Sequence, residues 1–196
     1  MSSKLDEVRG GVNQIFQDLK DDVIREPLVQ NSITVTDFSS HGDFNVLYDS
    51  VDPESLIEMQ EDAYKTRAMT ALYDAIGKAF ALVPETNDGV LVTIFTDGAE
   101  NDSKEFKSAD IRKLIKSKEA EGWTITFMGT TQEAMMQAES LGIGRDKMLA
   151  YADSKMGTVA AFNRMMSARK KYSDSIVNES SVDNIFDKKN VDDTTV

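Results

Sequence analysis

From Val90 to Phe95 the chain reads Val-Leu-Val-Thr-Ile-Phe with no polar alternation, the pattern of a strand buried on both faces of a sheet. The run stops at Thr96-Asp97-Gly98. Upstream, Leu5, Val8, Val12, Ile15, Phe16 and Leu19 fall on one helical face and predict a first helix. Ser3, with Asp6 three residues on, reads as its cap. Gly10 and Gly11 lie inside that helix at about 1 kcal/mol each relative to alanine, which implies close packing against a neighbour. Ser32 to Phe38 alternates apolar and polar, turns at Ser39-Ser-His-Gly-Asp43 and returns as Phe44 to Tyr48, a hairpin with Gly42 in its turn.

Residues 49 to 68 are polar and irregular, with a short helix expected after Asp52-Pro53. A helix over 71–83 turns Leu72, Ile76, Ala79, Phe80 and Val83 inward, and Pro84 to Asp88 feeds the central strand. A polar loop after Asp97 leads to a helix near 105–121 carrying Ile111, Leu114 and Ile115, closed by Gly122. Trp123 to Met128 reads as a strand, Thr131 to Ser140 as a helix capped by Thr130 or Thr131, Lys147 to Tyr151 as a short strand, and Lys155 to Lys171 as a last helix. Strand and helix thus alternate from residue 70 onward. The pattern predicts an α/β fold, a three-layer Rossmann-like sandwich: a mostly parallel sheet with helices on both faces and the hairpin supplying one antiparallel edge strand.

Residues 1–172 read as one domain, long enough to bury a core without covalent staples. From Ser173 to Val196 there are six acidic and two basic residues and few large apolar ones, so 173–196 reads as an acidic, disordered or loosely docked tail. Val182 to Phe186 is its one apolar segment, open to reading as a partner motif or as mere composition. The absence of cysteine excludes a disulfide framework, thiol catalysis and thiolate zinc sites, and fits a cytoplasmic protein. No apolar run reaches membrane-spanning length and no leader is expected. The formal charge of −12, from 22 basic and 34 acidic residues, argues against nucleic acid or an anionic membrane surface as partner.

Candidate chemistry gathers at the end of the central strand. In parallel α/β sheets ligands sit beyond the carboxyl ends of strands, so Asp97 is the first candidate residue, against the plainer reading of a turn-forming Asp-Gly pair. His41, the only histidine, reads as a solvated hairpin-tip residue, with no second imidazole to share a metal. Asp74 reads as facing solvent or capping a neighbour. Glu100, Asn101 and Asp102 tune partner choice or merely hydrate a loop. The ten methionines, Met135-Met136 and Met165-Met166 among them, read as adaptable core filler.

Three stretches in order, Thr70-Ala-Leu-Tyr-Asp-Ala-Ile-Gly77, Phe95-Thr-Asp-Gly-Ala-Glu-Asn101 and Phe127-Met-Gly129, together resemble the von Willebrand factor A domain. The likeness runs from Lys4 to about Tyr172 and is greatest to the compact stand-alone forms of bacteria and phages. It implies a metal-ion-dependent adhesion site built from three loops, an Asp-x-Ser-x-Ser loop, a threonine and an aspartate, in which Thr70 matches the second element and Asp97 the third. Mg²⁺, or Mn²⁺, is the implied ion, with a partner's acidic side chain completing the octahedron.

The first element is missing. Met1-Ser2-Ser3-Lys4 leads straight into the first helix, where the family has an apolar strand followed by that loop. The family's strand order places the absent strand between the hairpin and the Asp97 strand. Upstream sequence lost through an internal start or truncation, a strand donated by another chain, and closure of the flanking strands into a smaller sheet all remain open.

The leading functional expectation is a non-enzymatic protein-interaction module, binding at the edge that carries Thr70, Asp97 and the 98–102 loop. The resemblance implies a protein partner, such as an AAA+ ATPase or an assembly component, in the cytoplasm of a bacterium or host, or in a virion. One alternative is a structural subunit docking through an open sheet, as a homo-oligomer or with a strand-donating partner. Another is a Mg²⁺-dependent phosphoryl-transfer or hydrolytic enzyme using Asp97, disfavoured because Ala99 stands where a second aspartate would be and no glycine-rich phosphate loop precedes a helix.

Overall fold

The computed structural model describes residues 2–27, 29–61, 63, 69–85, 89–178, 180 and 185–186. In chain order the elements are α1 (Ser2–Arg25), β1 (Ile33–Phe38), β2 (Phe44–Val51), a 3₁₀ turn at Pro53–Ser55, α2 (Leu72–Leu82), β3 (Leu91–Thr96), α3 (Ser108–Ala120), β4 (Thr124–Gly129), α4 (Gln132–Ser140), β5 (Met148–Ala150) and α5 (Lys155–Val177). The fold is α/β with two sheets. β3, β4 and β5 form a parallel sheet in that order, and β1 and β2 form an antiparallel pair of their own. This corrects the expectation of a single sheet with the hairpin along its edge: among the described residues β1 pairs only with β2 and β3 only with β4. The two edges do not close on each other either, which removes the smaller-sheet alternative.

Three apolar clusters hold the elements. One gathers Leu72, Ile76 and Phe80 of α2, Ile111 and Ile115 of α3 and Ala134 and Ala138 of α4 against Ile94, Ile125 and Phe127, and Phe38 of β1 joins it. A second sets Ala161, Ala168 and Tyr172 of α5 against Met128, Leu149 and Tyr151. In a third, Ile15, Phe16 and Leu19 of α1 meet Phe162 of α5, with Ile33 and Val35 of β1 and Phe95 of β3 packed alongside. β1 and β3 therefore share apolar neighbours on both faces. β4, flanked by strands on both sides, is almost wholly buried, whereas four of the six β3 residues are only half-buried despite equally apolar composition. An open strand edge accounts for that difference.

Local chemistry explains most boundaries. Thr131 caps α4, its hydroxyl accepting from the Ala134 amide at 3.1 Å. Gly122 ends α3 at φ +92°, where a side chain would be strained. A Cβ on Gly11 would sit 2.2 Å from the Phe162 ring, so α1 and α5 cross in close contact there, whereas Gly10 faces open space. Four expectations need correction. Ser3 lies inside α1, since the helix starts at Ser2. α3 begins at Ser108, after Lys107, whose extended backbone takes the N-cap position and whose amide donates to Asp110 Oδ2 at 3.1 Å. α5 continues to Val177, so residues 173–177 are helical and the boundary drawn at 172 falls within a helix. Ile185 and Phe186 are buried in the second cluster, while the rest of the Val182–Phe186 segment and residues 187–196 lie outside the described residues. Of the methionines, Met135, Met165 and Met166 pack against the core, but Met136 is exposed. No helix among the described residues is long and apolar enough to cross a membrane.

Candidate functional site

The carboxyl ends of β1 and β3 meet the start of α2. The Ala71 amide donates to the Ser39 carbonyl just past β1. Thr70 and Asn101 bond reciprocally, the Thr70 amide to Asn101 Oδ1 and the Asn101 amide to the Thr70 carbonyl, both at 2.9 Å. A Cβ on Gly98 would lie 2.7 Å from Thr70 Oγ1, so only glycine lets that hydroxyl sit against the backbone beside Asp97. The fold thus brings Thr70 and the Asp97-Gly98 turn to one edge. Asp97 is exposed there, and its carbonyl accepts from Thr130 Oγ1 at 3.1 Å.

The edge is held by two segments that cap each other. Ala71, the residue before α2, has no acceptor to offer the helix's first amides. The loop after β3 supplies them: Tyr73 N donates to Glu100 Oε2 and Ser103 Oγ, and Asp74 N to Ser103 Oγ. Glu100 also accepts from the Asp102 and Ser103 amides, so one carboxylate both shapes its own loop and sits at the positive end of α2. In return Asp74, 2% exposed, accepts from the Lys104, Glu105 and Phe106 amides, each at 2.9 Å. Those three amides are committed to Asp74, and α3 begins after them at Ser108, with Lys107 in extended backbone as its N-cap and Asp110 accepting from the Lys107 amide. Burial alone would raise the Asp74 pKa, but the three amides and His41 outweigh it and hold the carboxyl at about 2.

His41 belongs to this network. It is exposed in the hairpin turn, as expected, but its Nδ1 lies 3.0 Å from Asp74 Oδ2 and its amide donates to Asp102 Oδ2 at 2.8 Å, which pins the hairpin to the loop. That amide bond, the largest cause, lowers the Asp102 pKa. Asp74 faces inward, and Glu100, Asn101 and Asp102 are all spent on internal bonds. The sequence carried a weak signal for the carboxylates, an acid in the first turn of α2 beside a helix start without a local cap. It carried none for His41.

Two sets of donor atoms at this edge bear on metal binding. His41, Asp74 and Glu105 offer ligand atoms within 4.8 Å of one another, a set that could hold a cation. Each is already engaged, however: Asp74 by three N–H groups and His41, Glu105 by Lys78 Nζ at 2.6 Å. A cation at Asp74 would meet amide hydrogens aimed at the same lone pairs. Thr70 and Asp97 offer one hydroxyl and one carboxylate, hard donors suited to Mg²⁺ but too few to displace its hydration shell alone.

Comparison with solved structures gives a likeness of fold. Proximal thread matrix protein 1 from the mussel byssus is similar to this chain with a TM-score of 0.60 over 85% of the chain at 11% identity. The likeness is one of fold. The chain matches only 42% of that protein's length, and so corresponds to less than half of it. No family model matches the chain, and no curated protein matches it either.

Proposed function

We propose that the chain is a non-enzymatic protein-interaction module of the von Willebrand factor A type, its elements forming three layers and its docking face lying at the Thr70 and Asp97 edge. The observation that supports this reading most is the mutual capping of α2 and the 98–106 loop: segments about 30 residues apart fix an otherwise mobile polar edge in one conformation. Asp97 stands exposed on that fixed edge with the Thr70 hydroxyl beside it. A divalent cation is shared there only when a partner contributes further oxygens. On its own the chain holds Mg²⁺ or Mn²⁺ weakly.

The test is paramagnetic broadening of amide resonances by Mn²⁺. Millimolar Mn²⁺ should broaden Thr70, Asp97 and Gly98 first, and Asp97→Ala should abolish this. Broadening centred on His41 and Glu105 and surviving Asp97→Ala would overturn the assignment, as would none at all.

A further inference from the structure

We propose that the parallel sheet and α5 form a groove for a short polypeptide segment carrying an adjacent aliphatic-aromatic pair, and that Ile185-Phe186 of this chain's own tail is its resident, releasable occupant. Both side chains are buried, at 2% and 7% exposure, in one cluster with Met128, Leu149 and Tyr151 on the sheet side and Ala161, Ala168 and Tyr172 of α5. The groove lies on the opposite face of β4 from α2 and α3, since Phe127 belongs to their cluster and its neighbour Met128 to this one. It is thus a different surface from the Thr70 and Asp97 edge.

Isolation marks the pair as an anchor and not as a continuation of the core. Ser175 is buried, but Ile176, Val177, Asn178 and Ser180 are all exposed, so the chain leaves the core at the end of α5 and re-enters it at Ile185. Residues 178–184 and 187–196 hold three valines as their only large apolar side chains. The gain on closing is therefore that of two side chains, offset by a conformational cost of similar size for fixing the pair and its tether. Such a contact opens without unfolding the sheet or α5. The tether, the seven residues 178–184, holds the pair at about millimolar effective concentration, enough to close a weak site in cis. The ligand's chemistry is that of the segment seated there: one β-branched aliphatic and one aromatic side chain, between Asp183-Asn184 and Asp187-Lys188. A partner segment of the same make enters only by displacing the tail.

The test uses the full chain, its double variant Ile185→Asn/Phe186→Asn, and a fluorescein-labelled peptide of the 180–189 sequence, Ser-Ser-Val-Asp-Asn-Ile-Phe-Asp-Lys-Lys, with a control peptide in which Ile and Phe are replaced by Asn. Binding is followed by fluorescence anisotropy, its location by amide shifts in NMR spectra, folding by circular dichroism and oligomeric state by light scattering. The expected result is a folded, monomeric variant that binds the peptide at least tenfold more tightly than the wild-type chain, because its groove is empty. The shifts should centre on Leu149, Ala161 and Ala168, and the control peptide should bind neither protein. Loss of helix signal in the double variant would make the pair a fixed part of the core. Equal affinity for the two proteins would mean that the tail does not occupy the groove in solution, and no binding to the folded variant would mean that no groove exists without the tail. A wild-type dimer that the double variant fails to form would put the occupant in trans. Each of these outcomes overturns the proposal.

Discussion

Asp74 concentrates more structural consequence than any other side chain of the edge. Its carboxylate takes four donors while nearly excluded from water. Asp74→Asn keeps the volume but turns an amide NH₂ toward N–H groups, leaving at least one buried donor unsatisfied. We expect a loss of about 2–3 kcal/mol, roughly 5–10 °C in unfolding midpoint for a chain of this size. The pH dependence has a definite sign. The folded pKa of about 2 lies below the ordinary 3.8, so this stabilisation is fully present above about pH 4 and is lost as pH falls toward 2. The shift corresponds to about 2.5 kcal/mol. Urea midpoints of the two proteins at pH 6, 4 and 2.5 should therefore converge as acid is added. Parallel curves would mean that the Asp74 charge is not what holds the loop.

At the scale of elements, α1 is joined to the rest chiefly through α5. Apart from the Phe16 cluster, the tie is Arg169, largely buried, whose guanidinium reaches Asp18 and, at 2.7 Å, Asp22. Arg169→Met should leave Asp18 and Asp22 with Arg25 of their own helix as partner and cut the link to α5, speeding amide exchange across α1 by about tenfold while β4 amides keep their rates. Uniform loosening of both would show that α1 and the parallel sheet open as one unit. The elements also mark what could be read in advance. β3, β4, α2, the Thr131 cap and the Gly122 stop are written in short-range pattern and were legible. Asp74 to Lys104, Glu105 and Phe106, Glu100 to Tyr73, and His41 to Asp74 join residues about 30 apart, and no local periodicity encodes them. The start of α3 differs from the expected position because Lys107, in extended backbone, is its N-cap, which the apolar spacing of Ile111, Leu114 and Ile115 does not encode. α5 was cut short because Ser173 to Val177 looks like tail by composition, although Tyr172 and Ser175 are buried and carry the helix on. Thr70 and Asp97 were legible as one edge, but the network beneath them was not.

For the whole molecule, open strand edges and net charge act against each other. At neutral pH the charge of −12 opposes association of copies through an open β3 edge. The sequence pI is about 4.5, and near it that repulsion vanishes while Asp74, with its folded pKa of about 2, remains ionised and the fold stays intact. Association of native molecules should therefore set in between pH 5 and 4, well above the acid range in which the Asp74 contribution is lost. Light scattering at pH 7.5 and 4.5, with far-ultraviolet circular dichroism on the same samples, tests this. Growth of scattering at pH 4.5 with native helix content is the expected result. Scattering that appears only once helix signal is lost would trace association to unfolded chains. Charge neutralisation and edge coverage are separable here because one is set by pH and the other by a neutral row of backbone hydrogen bonds. A folded chain that stays monomeric at its isoelectric point would mean that the β1 and β3 edges are shielded by the helices that flank them.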